Sequence, residues 1–207
     1  VGIESFSDSQ LGRYNKHLTA DENIKSYKAI MNFYDKYHFR YIHELIPFDP
    51  WVTRDELIDT VGFYSKNKFD YLELEPWLFT KLILYPNTVL RSKAEKESII
   101  SGNSHIEIPF WNFINDDVAM VYSALMKYKT NLLPKLNIVR DNMQFIIKSD
   151  EATSVQKIVC LKIKEKLSRI TVDYFMDLLI HPISEYEKIL NEKINVVEHY
   201  LKNKRFC

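Results

Sequence analysis

The chain has 207 residues, of which 46% are hydrophobic and 27% are charged, a composition typical of an ordinary folded protein. Lys plus Arg and Asp plus Glu both number 28. The basic excess of nucleic-acid-binding proteins is therefore absent, and we expect no nucleic-acid partner. No apolar run in the sequence approaches the roughly 20 residues that span a bilayer, so we expect no membrane partner either.

The two cysteines, Cys160 and Cys207, lie far apart in the sequence. Neither they nor the six histidines show the short spacing of metal-ligand motifs, so no metal site is predicted. A chain with so few cysteines is typical of a reducing compartment, and we expect a cytoplasmic location.

The first hundred residues alternate strand-like and helical patterns. Strands are predicted at residues 1–5, 39–46, 69–74 and 82–85. Helices are predicted at residues 20–37 and after Thr53, because Thr19 with Glu22 and Thr53 with Glu56 have the spacing of capping boxes. This alternation predicts parallel strands joined by crossover helices.

From about Asp116 onward the sequence predicts helices only. One apolar series recurs at close to the helical period, namely Val155, Val159, Ile163, Leu167, Ile170 and Tyr174. A further helix is predicted at residues 184–204, and Pro134 and Pro182 are expected breaks. We therefore predict an α/β domain at residues 1–110 and an α-helical subdomain at residues 111–207. The α/β part is too short for a complete barrel of eight strand–helix units.

Two groups of acidic residues are candidate carboxylate pairs. The favoured interpretation of Asp55, Glu56 and Asp59 is the exposed start of a helix, where acids complement the helix dipole. Glu73 and Glu75 alternate with apolar residues, so both face one side of a predicted strand. That side is either a barrel interior that meets a polar ligand or a solvated sheet edge.

The first 16 residues carry the richest polar pattern. A strand ends at Glu4 and Ser5, and a polar turn leads to Arg13, Asn15 and Lys16. In a parallel α/β barrel such positions line the ligand site, where a carboxylate binds an ammonium or hydroxyl group and a lysine binds a carboxylate. The alternative is a capped turn with solvated charges. Because the sequence opens on a strand-like apolar run without Met, we interpret residue 1 as a truncation point.

Residues 1–30 resemble radical S-adenosylmethionine (SAM) enzymes, at the passage from a mid-barrel strand into its helix. The matching positions are Gly2, Ile3, Glu4, Ser5, Leu11, Asn15, Lys16 and Thr19. Phe48-Asp49-Pro50, followed by Thr53 and Glu56-Leu57, is similar to the cobalamin-associated branch of the family. Residues 81–97 resemble a Leu-Tyr-Pro-Gly-Thr turn, with Asn87 in place of the usual glycine. The resemblance covers about residues 1–97.

The resemblance implies the C-terminal part of a partial parallel (β/α)6 TIM-like barrel followed by an α-helical subdomain, with SAM as a cofactor. Glu4 and the adjoining Ser5 would lie at the polar part of SAM, and Lys16 would approach its carboxylate. Glu44 would hydrogen-bond the ribose. Ile46 and Phe48 would pack near the adenine, although an ordinary core role fits both equally well.

The Cys-x-x-x-Cys-x-x-Cys motif that ligates the [4Fe–4S] cluster of this family is absent from the sequence. The chain alone is therefore expected to be inactive and to have no catalytic residues of its own. A missing N-terminal half would be its partner and would supply the cluster and, if the branch assignment holds, cobalamin. The parent would cleave SAM reductively and modify or methylate a small-molecule or peptide substrate. The alternative is a non-catalytic module that binds a small molecule or a protein partner.

Overall fold

The computed structural model describes residues 2–37, 44–67, 75–101 and 110–202. These residues form two compact units, which meet in sequence at the step from Met120 to Val121. They are mostly helical, with one small parallel sheet and one antiparallel pair of strands. No helix in the described ranges is long and apolar enough to cross a membrane.

The first unit contains four short strands and most of the shorter helices. Its elements are β1 (Gly2–Glu4), α1 (Asp8–Arg13), α2 (Ala20–Tyr37), β2 (Glu44–Leu45), α3 (Arg54–Lys66), a 3-10 helix (Glu75–Phe79), α4 (Val89–Lys96), β3 (Ile100–Ser101) and β4 (Phe110–Trp111). Helix α5 (Asp116–Asn131) begins in this unit and continues into the second.

Strands β1 and β2 pair in parallel, as predicted for the parts of residues 1–5 and 39–46 that are described. A single parallel bridge then joins Phe48 to Lys81. Two strands and one bridge are fewer than the predicted partial (β/α)6 barrel requires, so the described residues show a small parallel sheet and not that barrel.

Of the other two predicted strands, the one at residues 82–85 needs correction, as does the strand-like direction expected for Glu75, and the one at residues 69–74 falls outside the described residues. Residues 82–85 form no strand, because Tyr85 N–H turns back to donate to the carbonyl of Ile83. Glu75 begins a 3-10 helix, since Pro76 has no N–H for a strand ladder and fits a first helical turn. The strand predicted at residues 69–74, with Glu73, lies outside the described ranges.

Both predicted capping boxes are confirmed, and each opens a helix at its predicted place. Thr19 N–H donates to Glu22 at 2.7 Å, and Glu22 N–H donates to the Thr19 hydroxyl at 3.3 Å. The corresponding distances between Thr53 and Glu56 are 2.9 and 3.3 Å. These caps satisfy backbone N–H groups that have no partner within the helix.

The antiparallel pair β3–β4 was not predicted, because two-residue strands have no readable alternation. Ile100 pairs with Trp111, and Ser101 pairs with Phe110. The Trp111 indole donates to the carbonyl of Leu82 at 2.8 Å. The pair is thereby joined to the segment that carries the parallel bridge.

The second unit is helical, as predicted. Beyond α5 it contains α6 (Leu133–Lys148), α7 (Ser154–Ser168), α8 (Ile170–Ile180), a 3-10 helix (Ile183–Glu185) and α9 (Tyr186–Lys202). Pro134 lies in the first turn of α6, and Pro182 caps the second 3-10 helix, so both expected breaks are confirmed.

The apolar series at residues 155–174 spans two helices where a single period was expected. The period continues across the junction because Arg169 keeps helical dihedrals, with φ −79° and ψ −19°. Val155 and Val159, at the start of the series, are exposed and do not belong to the core.

Candidate functional site

A cavity of about 730 Å³ opens in the first unit beside the end of β1. Its lining comes from Glu4, Ile46, residues 12–16, residues 82–83 and residues 87–90. The lining combines charged and amide side chains with aliphatic ones. Such a mixture suits a ligand that has both a polar and an apolar part.

An ion pair lies at the polar side of the cavity. The Lys16 ammonium is 2.7 Å from the Glu4 carboxylate, and the two side chains are 39% and 16% exposed. Gly2 leaves space for this arrangement, because a Cβ at Gly2 would lie 2.7 Å from the same carboxylate oxygen. Partial exposure keeps both charges available to a ligand.

Three residues in the lining have left-handed backbone conformations. Their φ angles are 54° at Glu4, 57° at Asn15 and 62° at Asn87. In the described chain Ser98 is the one further non-glycine residue of this kind. Asparagine adopts this conformation at little cost, so the backbone at Asn87 does not require a glycine, whereas glutamate adopts it rarely. Such conformations cluster at ligand sites, where the surrounding structure holds them in place.

Arg13 holds two buried carboxylates behind the cavity lining. Its Nε donates to Asp49 at 3.1 Å and its Nη2 to Glu56 at 2.8 Å. Asp49 is fully buried and Glu56 is 6% exposed. Although burial lowers the pKa of the Arg13 guanidinium, the hydrogen bonds and charges of both carboxylates raise it above its ordinary value.

The burial of Glu56 corrects the prediction that this residue belongs to an exposed helix start; Asp55 and Asp59 are indeed exposed. The capping box turns the Glu56 side chain back toward Thr53, where Arg13 meets it. Burial raises the pKa of Glu56. The hydrogen bonds from Arg13, Ser9 and the Thr53 backbone outweigh this effect and hold the pKa below its usual 4.5.

Gln10 and Tyr14 extend the same network to the loop after β2. The Gln10 amide donates to the Pro47 carbonyl at 3.0 Å and to Asp49 at 3.1 Å. The Tyr14 hydroxyl donates to Asp49 at 2.9 Å. Burial, the charge of Asp49 and this hydrogen bond raise the pKa of Tyr14 well above its ordinary value. The network therefore fixes the end of α1, and with it Asn15 and Lys16, against the loop after β2.

Ser5 forms a structural connection and is not part of the cavity lining. It is fully buried, and its hydroxyl lies 2.9 Å from that of Thr60 in α3. The Asn23 amide donates to the carbonyls of Ile3 and Ser5, at 2.7 Å in each case. These bonds hold the end of β1 against α2 and α3.

The structure brings together Glu4, Lys16 and Ile46 of the residues that the sequence singled out. Phe48 is fully buried and packs edge-on against Phe113 at 5.9 Å. Glu44 is exposed at the start of β2 and is not part of the lining. The contacts proposed between these residues and SAM stay predictions.

Sequence reasoning missed the roles of Gln10 and Tyr14, and it gave Arg13 and Asp49 no partner. Arg13, Tyr14 and Asp49 all lie within the matched motifs, so their positions offered a signal. Their pairing could not be read from it, because 36 residues separate Arg13 from Asp49. Within the described ranges no group of three or more His, Cys, Asp or Glu residues is placed to hold a metal ion.

Comparisons with known proteins give a likeness in structure alone. No family model matches the chain, and no curated protein matches it in sequence. The fold is similar to part of OxsB, a cobalamin-dependent S-adenosylmethionine radical enzyme solved with aqua-cobalamin bound, with a TM-score of 0.61 and 17% identity. The likeness covers 96% of this chain and 32% of that enzyme, so the chain spans about a third of its length.

Proposed function

We propose that the chain is part of a radical SAM enzyme and that its cavity binds SAM. The Glu4–Lys16 ion pair at the side of a cavity of about 730 Å³ carries this proposal. The resemblance of residues 1–97 and the likeness in fold to a radical SAM enzyme support it independently.

The two charges fit the amino-acid end of SAM. Its ammonium group would pair with Glu4, and its carboxylate would pair with Lys16, so that two ion pairs replace the one present in the free chain. Neither protein charge is then left without a partner, which keeps the desolvation cost of binding low. Ile46, Leu82 and Ile83 offer aliphatic surface for the adenine.

The [4Fe–4S] cluster does not fit this chain. An open cluster of this family takes three thiolates close together, whereas the sequence has two cysteines, and Cys160 is fully buried in α7. We therefore assign the cluster, and cobalamin if the parent uses it, to another part of the parent enzyme. In that parent the cofactors would supply reductive SAM cleavage and radical modification or methylation of an organic substrate. This chain would contribute binding and orientation of SAM.

Equilibrium dialysis with radiolabelled SAM tests the proposal. Lys16→Met and Glu4→Gln should each weaken binding at least about tenfold, because each leaves one charge of the ligand without a partner. Lys28→Met removes an exposed lysine of α2 and should leave binding unchanged. Absence of binding to the unaltered chain would overturn the proposal in favour of a non-catalytic interaction module. Equal binding by all four proteins would place SAM elsewhere.

A further inference from the structure

The outer face of α7 carries exposed aliphatic side chains at helical spacing. Val155, Ile158 and Val159 are 70%, 52% and 38% exposed. Positions i, i+3 and i+4 lie on one face of a helix. Exposed apolar residues are ordinary when they are scattered, but three on one face form a continuous stripe.

The same face becomes basic toward the end of the helix. Lys162 and Lys166 follow Val155 at i+7 and i+11, so they continue the stripe. In the part of the chain that is described, neither lysine forms an ion pair. Helix α7 contains four lysines and a single glutamate, Glu165. Glu165 lies at the edge of this face, at i+7 from Ile158, so the face is apolar in its first half and carries a net positive charge in its second half.

Helix α6, the neighbour of α7, also carries an exposed apolar side chain. It packs against α7, and the five-residue connection at 149–153 makes the two helices antiparallel neighbours. Lys164 of α7 donates a hydrogen bond to Gln144 of α6. The next residue, Phe145, is 76% exposed, so a large apolar ring lies in the segment of α6 that this bond ties to α7.

We propose that the outer face of α7 docks a helical segment of a partner protein, one face of which changes from apolar to acidic along its length. Charge complementarity sets the acidic half opposite Lys162 and Lys166. The spacing of Val155, Ile158 and Val159 is that of anchors for an amphipathic helix. This inference is independent of SAM binding.

An anionic membrane fits the face less well. In helices that bind a membrane surface, lysines flank the apolar face along its whole length. In α7, Lys162 and Lys166 instead follow the apolar residues on the same face. The stripe also contains no Trp or Tyr, which favour the membrane–water boundary.

Two synthetic helical peptides test the docking surface by fluorescence anisotropy with the full chain. The first carries Leu at i, i+3 and i+4 and Glu at i+7 and i+11, and the second carries Lys in place of both Glu residues. The acidic peptide should bind at least about tenfold more tightly, and added salt should weaken its binding. Equal binding of the two peptides, or binding of neither, overturns the proposal.

Variants of the chain locate the binding. The double change Ile158→Ser with Val159→Ser should weaken binding of the acidic peptide at least about tenfold. Ile180→Ser alters a residue of α8 that is 61% exposed and should have no effect. Lys162→Glu with Lys166→Glu should reverse the preference between the peptides. Because all of these side chains are exposed, circular dichroism should be unchanged.

Two further results would assign the face to a different partner and overturn the proposal. One is binding to phosphatidylserine vesicles that is lost in the Ile158→Ser, Val159→Ser variant. The other is self-association of the chain, measured by sedimentation, that the same variant abolishes.

Discussion

Both units have buried aromatic and aliphatic cores, but the first unit also buries a network of charged and amide side chains. Among the described residues, nine buried polar or charged residues lie in the first unit and three in the second. Arg13 with Asp49 and Glu56 represents this network. The stacked rings of Tyr128 and Tyr174, with centroids 4.8 Å apart, represent the apolar core of the second unit.

This difference agrees with the proposal that the first unit binds the ligand. A buried ion-pair network stabilises a fold less than close apolar packing does, but it fixes the direction of the groups that it holds. In the first unit those groups lie beside the cavity that Glu4 and Lys16 line. In the second unit fewer of the described polar residues are buried, among them Thr171, whose hydroxyl contacts that of Tyr128, and the chemically distinctive feature is the outer face of α7.

The largest expected effect is on the packing of the second unit. Phe175 is fully buried, so Phe175→Ala should lower the free energy of unfolding by about 3–5 kcal/mol. Urea unfolding followed by far-ultraviolet circular dichroism should show the loss. Trp51, Trp77 and Trp111 are the three tryptophans and belong to the first unit, so tryptophan fluorescence should change less. Equal shifts in both signals would mean that the two units unfold together.

The next effect should appear in the first unit. Arg13→Ala leaves the carboxylates of Asp49 and Glu56 buried without their cation, and it should lower the free energy of unfolding by about 3 kcal/mol. Tryptophan fluorescence during urea unfolding measures this loss. Lys66→Ala, at the exposed end of α3, is the matched control and should change stability little. A loss as small as that of the control would show that the network does not hold this unit.

A smaller effect concerns pH. The pKa of Glu56 is lower in the folded chain than its usual 4.5. The ionised Glu56 side chain therefore stabilises the fold in full at pH values above 4.5. This stabilisation is lost as the pH falls through the folded pKa. Fluorescence-detected urea midpoints between about pH 5 and pH 3 should therefore fall more steeply for the unaltered chain than for Glu56→Gln. If the urea midpoints of the two proteins fell equally with pH, the assignment of this pH dependence to Glu56 would be contradicted.

The smallest expected effects compare two capping boxes, one in each unit. Thr53 caps α3 with Glu56, and Thr153 caps α7 with Gln156. Thr53→Ala and Thr153→Ala should each lower the free energy of unfolding by about 1 kcal/mol. Fluorescence should detect the first change and circular dichroism the second. If fluorescence instead detected Thr153→Ala and not Thr53→Ala, the division into two units would be contradicted.

The sequence predicted what is local in this fold. Residues 20–37 and the capping boxes at Thr19 and Thr53 were correct, because caps and helical periods involve neighbouring residues. The contact of Arg13 with Asp49 and Glu56 depends on residues far apart in the chain, and the strands of the β3–β4 pair are too short to show an alternating pattern, so single-sequence patterns contain neither. The helical period of Val155 and Val159 did not reveal that both are exposed, since periodicity shows that residues share a face and not what covers it.

At the site, the motif led to Glu4, Lys16 and Ile46, which do lie together. It did not separate them from Phe48, which packs in the core, or from Glu44, which is exposed. Glu44, Ile46 and Phe48 are alternate positions, which would face one side of a regular strand. They do not share one environment here, because β2 ends at Leu45 and its register with β1 is irregular.

Nuclear magnetic resonance of the isoleucine methyl groups during addition of SAM tests the central claim most directly. Ile46 and Ile83 line the cavity, whereas Ile158 and Ile180 are exposed in the second unit and serve as internal controls. Binding in the cavity predicts that the signals of Ile46 and Ile83 shift and that those of Ile158 and Ile180 stay in place. Unchanged signals of Ile46 and Ile83, or shifts confined to the controls, would contradict the proposal that this cavity binds SAM.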